Sequence, residues 1–103
     1  MQKKYKGFLI LQHENFYEIR RKDNQILASN IENTDACRFL VDLECIGEEY
    51  KQKLKTLNDR EFYEINCIYI SLMQKDSEQT LSEDEKVLYY WAEKIRNQKM
   101  KRR

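Results

Sequence analysis

Apolar and polar positions alternate in short runs over the first 31 residues, then recur every three or four positions along the rest of the chain. Residues 7–12 (GFLILQ), 16–21 (FYEIRR) and 25–29 (QILAS) predict three strands. The joins His13-Glu14-Asn15 and Lys22-Asp23-Asn24 are short and rich in turn formers. Side chains alternate faces along a strand, so two-residue loops would place Phe8, Ile10, Tyr17, Ile19, Ile26 and Ala28 on one face. Leu9, Leu11, Phe16, Glu18, Arg20 and Leu27 would take the other. The first face is the better core face; the second is partly apolar and could be covered too.

The next stretch, NTDACRFLVDLECIGEEYKQKLKTL, changes period. Ala36, Leu40, Leu43, Tyr50, Leu54 and Leu57 are spaced in threes and fours, with Gly47 filling the gap between Leu43 and Tyr50, and Phe39 and Ile46 widen the stripe. This predicts one amphipathic helix over about 33–57, capped by Asn33 or Thr34, with Asp35 at the positive end of its dipole. Gly47 inside it costs about 1 kcal/mol relative to Ala and marks a bend or a close packing contact.

Residues 59–74 fit a second helix through Phe62, Ile65, Tyr69, Leu72 and Met73, with Asn58 or Asp59 as cap. Alternation around Cys67 and Tyr69 leaves a strand over 62–72 as the alternative. Two overlapping capping boxes, Thr80 with Glu83 and Ser82 with Glu85, announce a last helix that buries Val87, Leu88, Trp91 and Ile95. The expected fold is α+β: a three-stranded antiparallel β-meander, a long helix, and two further helices. It is read as one domain over 1–103, with the meander in 1–31 and a helical part with a basic tail in 32–103.

Composition narrows the class. Of 103 residues, 36% are charged and 41% hydrophobic, including seven Tyr, four Phe and one Trp, which suits a folded chain. No apolar run approaches the roughly 20 residues of a membrane span, and Phe8 to Leu11 is too short for a signal-peptide core. Three cysteines without tight spacing argue against a disulfide framework. The expected location is the cytoplasm, and the Lys-, Asn- and Ile-rich usage suggests a low-GC bacterial source or one of its mobile elements.

The near-neutral total hides an uneven distribution. Residues 1–31 carry six Lys/Arg against three acids, and residues 96–103 carry five against none; the middle is acidic. Only the ends could therefore supply a footprint for nucleic acid. The candidate surface is the sheet, with Lys3, Lys4, Lys6, Arg20, Arg21 and Lys22 interleaved by Phe16 and Tyr17. From it and the tail, Lys6, Arg20, Arg21, Lys22, Lys101, Arg102 and Arg103 are chosen as phosphate contacts. The opposing reading puts Arg20 and Arg21 beside Glu18 and Asp23 in a mixed solvated face. A helix-turn-helix from the last two helices is rejected, because Glu83, Asp84 and Glu85 would lead its recognition helix into the phosphates.

Catalytic chemistry finds no constellation. The one histidine, His13, lies in a turn. No glycine-rich loop is present. Cys37 and Cys45 lie roughly 80° apart around a helix and read as buried thiols, and no ligand pair at short spacing suggests zinc. No catalytic, cofactor-binding or metal-binding residue and no small-molecule substrate is expected. Tyr63, Tyr89 and Tyr90 exceed what the helix stripes need and are the candidates for contacting a protein.

The run Tyr5-Lys6-Gly7-Phe8, then Tyr17-Glu18-Ile19, Ile26, Ala28, Ala36 and Phe39-Leu40-Val41-Asp42, resembles a meander-plus-helix module. It is similar to small accessory proteins of Gram-positive phages, plasmids and integrative elements, mostly without an assigned function. The resemblance covers about residues 4–43 and rests on hydrophobic patterning plus one glycine. It implies a mobile-element setting and brings no active site. The expected function is a non-enzymatic binding or regulatory protein that contacts nucleic acid through the sheet face and basic termini. The alternative is a protein-binding inhibitor of a host defence system or host enzyme. The partner is thus nucleic acid or a host or phage protein, with no membrane, and with room for a homodimer.

Overall fold

The computed structural model describes residues 2–101. The protein is α+β, with a four-stranded antiparallel sheet followed by four helices. The chain divides into two compact units, Met1–Cys45 and Ile46–Arg103. Among the described residues no helix is long and apolar enough to cross a membrane.

The first unit holds strands β1 (Gln2–Tyr5), β2 (Phe8–Gln12), β3 (Tyr17–Arg20) and β4 (Ile26–Ile31), in that spatial order, and helix α1 (Thr34–Cys45). Ile10 pairs with Ile19, and Ile19 with Ala28. These side chains face α1, where Ile10, Ile19, Ile31, Cys37 and Val41 form a buried cluster flanked by Tyr5, Phe8, Tyr17, Leu27 and Leu40. Burying residues such as Ile19 and Val41 fully stabilises the unit by about 1.5–3 kcal/mol each. Asn33 caps α1 as expected, its Oδ1 accepting from the Ala36 N–H at 2.8 Å.

Two expectations for the sheet are corrected. There is a fourth strand, β1, because Tyr5 pairs with Phe8 across a two-residue turn. Lys6 and Gly7 both adopt left-handed backbone there, at φ 51° and 85°, the geometry of a type I′ hairpin. At the other hairpin, Arg20 pairs with Ile26, so the loop is five residues long. Register shifts between β3 and β4 bulge the last strand, with Asn30 left-handed at φ 58°. The assigned faces therefore exchange at the start of β4, where Ile26 is 57% exposed and Leu27 packs on the core, while the bulge returns Ala28 to the core face opposite Ile19.

The second unit holds α2 (Glu48–Lys55), a 3₁₀ turn (Leu57–Asp59), α3 (Phe62–Ser77) and α4 (Glu83–Lys101). The single long helix expected over 33–57 is two helices. Gly47 takes an extended conformation, φ −64° and ψ 151°, and stands as the N-cap of α2. Its N–H donates to Asp84 Oδ2 at 3.2 Å, and a Cβ on Gly47 would approach that oxygen to 2.7 Å. The glycine is thus a close contact at the break between α1 and α2. Residues 62–72 are helical, but Glu61 takes the N-cap position without a side-chain bond, in place of Asn58 or Asp59.

α3 and α4 run antiparallel, since Arg96 Nε donates to Asn66 Oδ1 at 2.7 Å and Lys75 Nζ pairs with Glu85 Oε2 at 2.6 Å. Leu54, Leu57, Ile65, Leu72, Leu88, Trp91, Ala92 and Ile95 are buried. Of the two overlapping capping boxes, the one formed is Ser82 with Glu85: the Ser82 N–H donates to Glu85 Oε1 at 3.1 Å and the Glu85 N–H to Ser82 Oγ at 3.2 Å. The Lys75 hydrogen bond, and then the Ser82 N–H, hold the Glu85 carboxyl below its ordinary pKa; Glu85 in turn holds the Lys75 ammonium above its own.

Candidate nucleic-acid interface

The β1–β2 and β3–β4 turns lie at the same end of the sheet, as the antiparallel order requires. The β3–β4 turn closes through Asn24 N–H to the Arg21 carbonyl at 2.9 Å and Arg21 N–H to the Gln25 carbonyl at 2.8 Å. Asn24 is left-handed at φ 71°, and Asp23 Oδ1 accepts from the Gln25 N–H at 3.2 Å. Lys22 lies across the neighbouring turn, where a Cβ on Gly7 would meet its Cε at 3.1 Å.

Between the two turns is a recess of about 300 Å³ lined by Lys4, Gly7, Phe8, Leu9, Arg21, Lys22 and Asn24. Three cations reach it and no carboxylate is in its lining. Among the described residues, neither Lys4 nor Lys22 has an acidic partner within 4 Å. Arg21 does: its Nη2 lies 2.7 Å from Glu44 Oε1 on α1.

The structure separates the residues chosen from sequence. Arg21 and Lys22 meet in the recess. Lys6 does not line it; its Nζ lies 2.7 Å from Asp42 Oδ1, a carboxylate whose side chain is only 3% exposed and which also accepts from the Tyr5 hydroxyl at 3.0 Å. Arg20 is turned onto Glu18, with Nε to Oε2 at 2.6 Å, and donates to Asn24 Oδ1 at 3.2 Å. The mixed-face reading therefore describes Arg20, while the partner of Arg21 is Glu44 and not Asp23. Lys4, which enters the recess, belonged to the basic surface without being chosen as a contact.

The aromatics do not interleave with these cations. Tyr17 packs on the core cluster, and Phe16 stacks on His13 at 4.6 Å in the β2–β3 loop, at the other end of the sheet. Lys101 ends α4, exposed, and Arg102 and Arg103 lie outside the described residues.

The three tyrosines chosen as protein contacts differ. Tyr63 is 75% exposed on α3. Tyr90 is 46% exposed, edge-on to Trp91 with ring centroids 5.0 Å apart. Tyr89 is half-buried and stacks on Tyr69 at 5.6 Å; burial, and then Tyr69, push its hydroxyl pKa up. Arg96 covers the Tyr69 ring at 4.7 Å. Sequence reasoning missed that Cys67, Ile70 and Met73 join Tyr63 in exposure along α3. The signal was present: α3 carries apolar residues around its whole circumference, more than its buried stripe of Ile65 and Leu72 needs.

The thiols also divide. Cys37 is buried, and burial raises its pKa above the ordinary value, against a smaller lowering by Arg38. Cys45 and Cys67 are exposed, which for Cys45 is contrary to the expectation of a buried thiol. Among the described residues no three His, Cys, Asp or Glu side chains converge to hold a metal ion. No family model, curated protein or solved structure matches the chain.

Proposed function

We propose that the protein is a non-enzymatic binding protein whose recess of Lys4, Arg21 and Lys22 contacts the phosphodiester backbone of a nucleic acid. The observation that carries this reading is the convergence of three cations on a recess whose lining holds no carboxylate. Phosphate oxygens are the complement of such a lining, and guanidinium and ammonium groups bind them without reading sequence. The aromatic in the lining, Phe8, also packs against the core cluster, so the contact is chiefly to backbone and not to stacked bases. The formal net charge is only +1, which supplies little long-range attraction. Binding is accordingly weak and sequence-independent, in the range of about 10⁻⁴–10⁻⁶ M at physiological salt. A role in regulating or protecting a phage or mobile element is the setting that the module resemblance supports.

The test is fluorescence anisotropy with a labelled short duplex and its single strand over a salt series. Two to three neutralised phosphates give a log–log slope of about −2 to −3 for the duplex. Lys22→Glu and Lys4→Glu each weaken binding by about tenfold or more. Binding that ignores salt, or that survives both reversals unchanged, removes the proposal.

A second reading is favoured by the outer face of α3. Tyr63, Ile70 and Met73 are 75%, 40% and 41% exposed, and contiguous exposed apolar surface is a feature of protein interfaces. On this reading the chain is an inhibitor of a host protein. Tyr63→Ser with Ile70→Ser then abolishes capture of the partner and leaves nucleic-acid binding intact.

A further inference from the structure

We propose that Glu44 occupies Arg21 in the free protein and so sets how tightly the recess holds a phosphodiester. This rests on the reading of the recess given above.

Three observations carry it. Arg21 lines the recess, yet its Nη2 is engaged by Glu44 Oε1 at 2.7 Å, while Lys4 and Lys22 make no ion pair among the described residues. Both partners are accessible, with 40% of the Arg21 side chain and 36% of the Glu44 side chain exposed, so an incoming anion can reach the pair. Glu44 also sits in the last turn of α1, which holds no basic residue. A carboxylate there faces the negative end of the helix dipole and gives the helix nothing. Its favourable interaction is with Arg21.

A carboxylate and a phosphate compete for the same planar fork of donors. In the free protein the recess therefore works with two lysines. When phosphate displaces Glu44, Arg21 joins them, and the net gain is reduced by the ion pair given up. The affinity of the recess is held below what its three cations would provide. Asp42, two residues earlier on α1, differs in kind: it is buried, holds Lys6 and Tyr5, and does not compete for the recess.

The experiment is a double-variant cycle in the full chain, read by anisotropy of a labelled duplex over a salt series, with circular dichroism to check folding. Glu44→Ala tightens binding by about fivefold and steepens the log–log salt slope by about one. Arg21→Gln alone weakens binding by about twofold or more, because it removes the third contact and leaves the Glu44 carboxylate unpaired beside the lysines. In the Arg21→Gln background the gain from Glu44→Ala falls to the bulk-charge level of the Asp23→Asn control. Asp23→Asn is the control: it makes the same charge change beside Lys22 without releasing an arginine, and it gives less than half the gain.

A gain that persists in full without Arg21, or an equal gain in Asp23→Asn, overturns the proposal in favour of bulk charge. Salt-sensitive wild-type binding with no gain in Glu44→Ala overturns the role of Glu44 alone. Absence of salt-sensitive binding in wild type and Glu44→Ala alike overturns the function reading and this inference with it.

Discussion

Both units carry local ion pairs, Arg20–Glu18 and Arg38–Asp35 among those of the sheet unit, but their long-range pairs hold different things. In the sheet unit, Lys6 and Arg21 on two turns pair with Asp42 and Glu44 near the end of α1. In the helical unit, Lys51–Glu48, Arg60–Glu64 and Lys86–Glu83 join residues one helical turn apart, and Lys75–Glu85 is the pair that crosses between helices. Local pairs report only that a helix or strand exists. Distant pairs decide where one segment lies against another. In the sheet unit they hold the two turns that flank the recess, so there charge does positional work. The helical unit relies on apolar burial, with Leu54, Leu57, Ile65 and Ala92 fully buried.

Core truncation should affect both units most and equally. Ile19→Ala and Ile65→Ala each remove a fully buried side chain and should destabilise by about 2–5 kcal/mol in urea denaturation. Trp91 fluorescence, from the buried core of α4, follows the second unit. Asp42→Ala comes next, at about 2 kcal/mol, because it strips Lys6 and the Tyr5 hydroxyl of a buried acceptor. Gly47→Ala should cost about 1–2 kcal/mol by driving Asp84 off the Gly47 N–H.

The Lys75–Glu85 pair should change the shape of the stability profile with pH. Glu85 is held below its ordinary pKa, so its contribution is complete above the unfolded carboxylate value, about 4.3, and is lost as pH falls through the lower folded value. Lys75 is held above its ordinary value, so its share is complete below about pH 10.4 and is lost as pH rises through the higher folded value. Glu85→Gln should therefore flatten the acid limb, measured by urea midpoints from pH 3 upward. Smallest of all is Glu64→Gln, below about 0.5 kcal/mol, since its pair with Arg60 is exposed and local. An Asp42→Ala effect no larger than that of Glu64→Gln would break the contrast between the units.

Local signals were readable from sequence. Asn33 and the Ser82–Glu85 box are caps whose partners lie three residues away, so the local sequence narrowed them to two choices each, Asn33 or Thr34 and one of two boxes. The meander and the inward set of Ile10, Tyr17, Ile19 and Ala28 followed from alternation. What escaped depended on rarer backbone or on tertiary position. β1 was missed because QKKY has a single apolar residue and Lys is an unusual occupant of the first left-handed position of a type I′ turn. The helix break at Gly47 was hidden by a stripe that continues in period across it. The inward faces are set instead by Cys37 and Val41 in α1, and by Leu54 in α2. Ile26 was misplaced by counting two loop residues where there are five.

The candidate site divides along the same line. Arg20 beside Glu18 was foreseeable, since positions two apart on a strand share a face. Arg21 with Glu44 was not, because the partners are 23 residues apart and meet only once α1 lies on the sheet. Nor could charge counting separate Lys4 and Lys22 from Lys6. That distinction arises from one buried carboxylate, Asp42, and from the path of a turn.

The interruptions in β4 have a consequence beyond its own register. A sheet with two open sides is a template on which another chain's strand can be laid. Here one side is only four residues long and carries Lys3 and Lys4, and the other is kinked where Asn30 turns left-handed. Neither flank presents an unbroken ladder of N–H and C=O groups, so the fold carries its own defence against fibrillar growth.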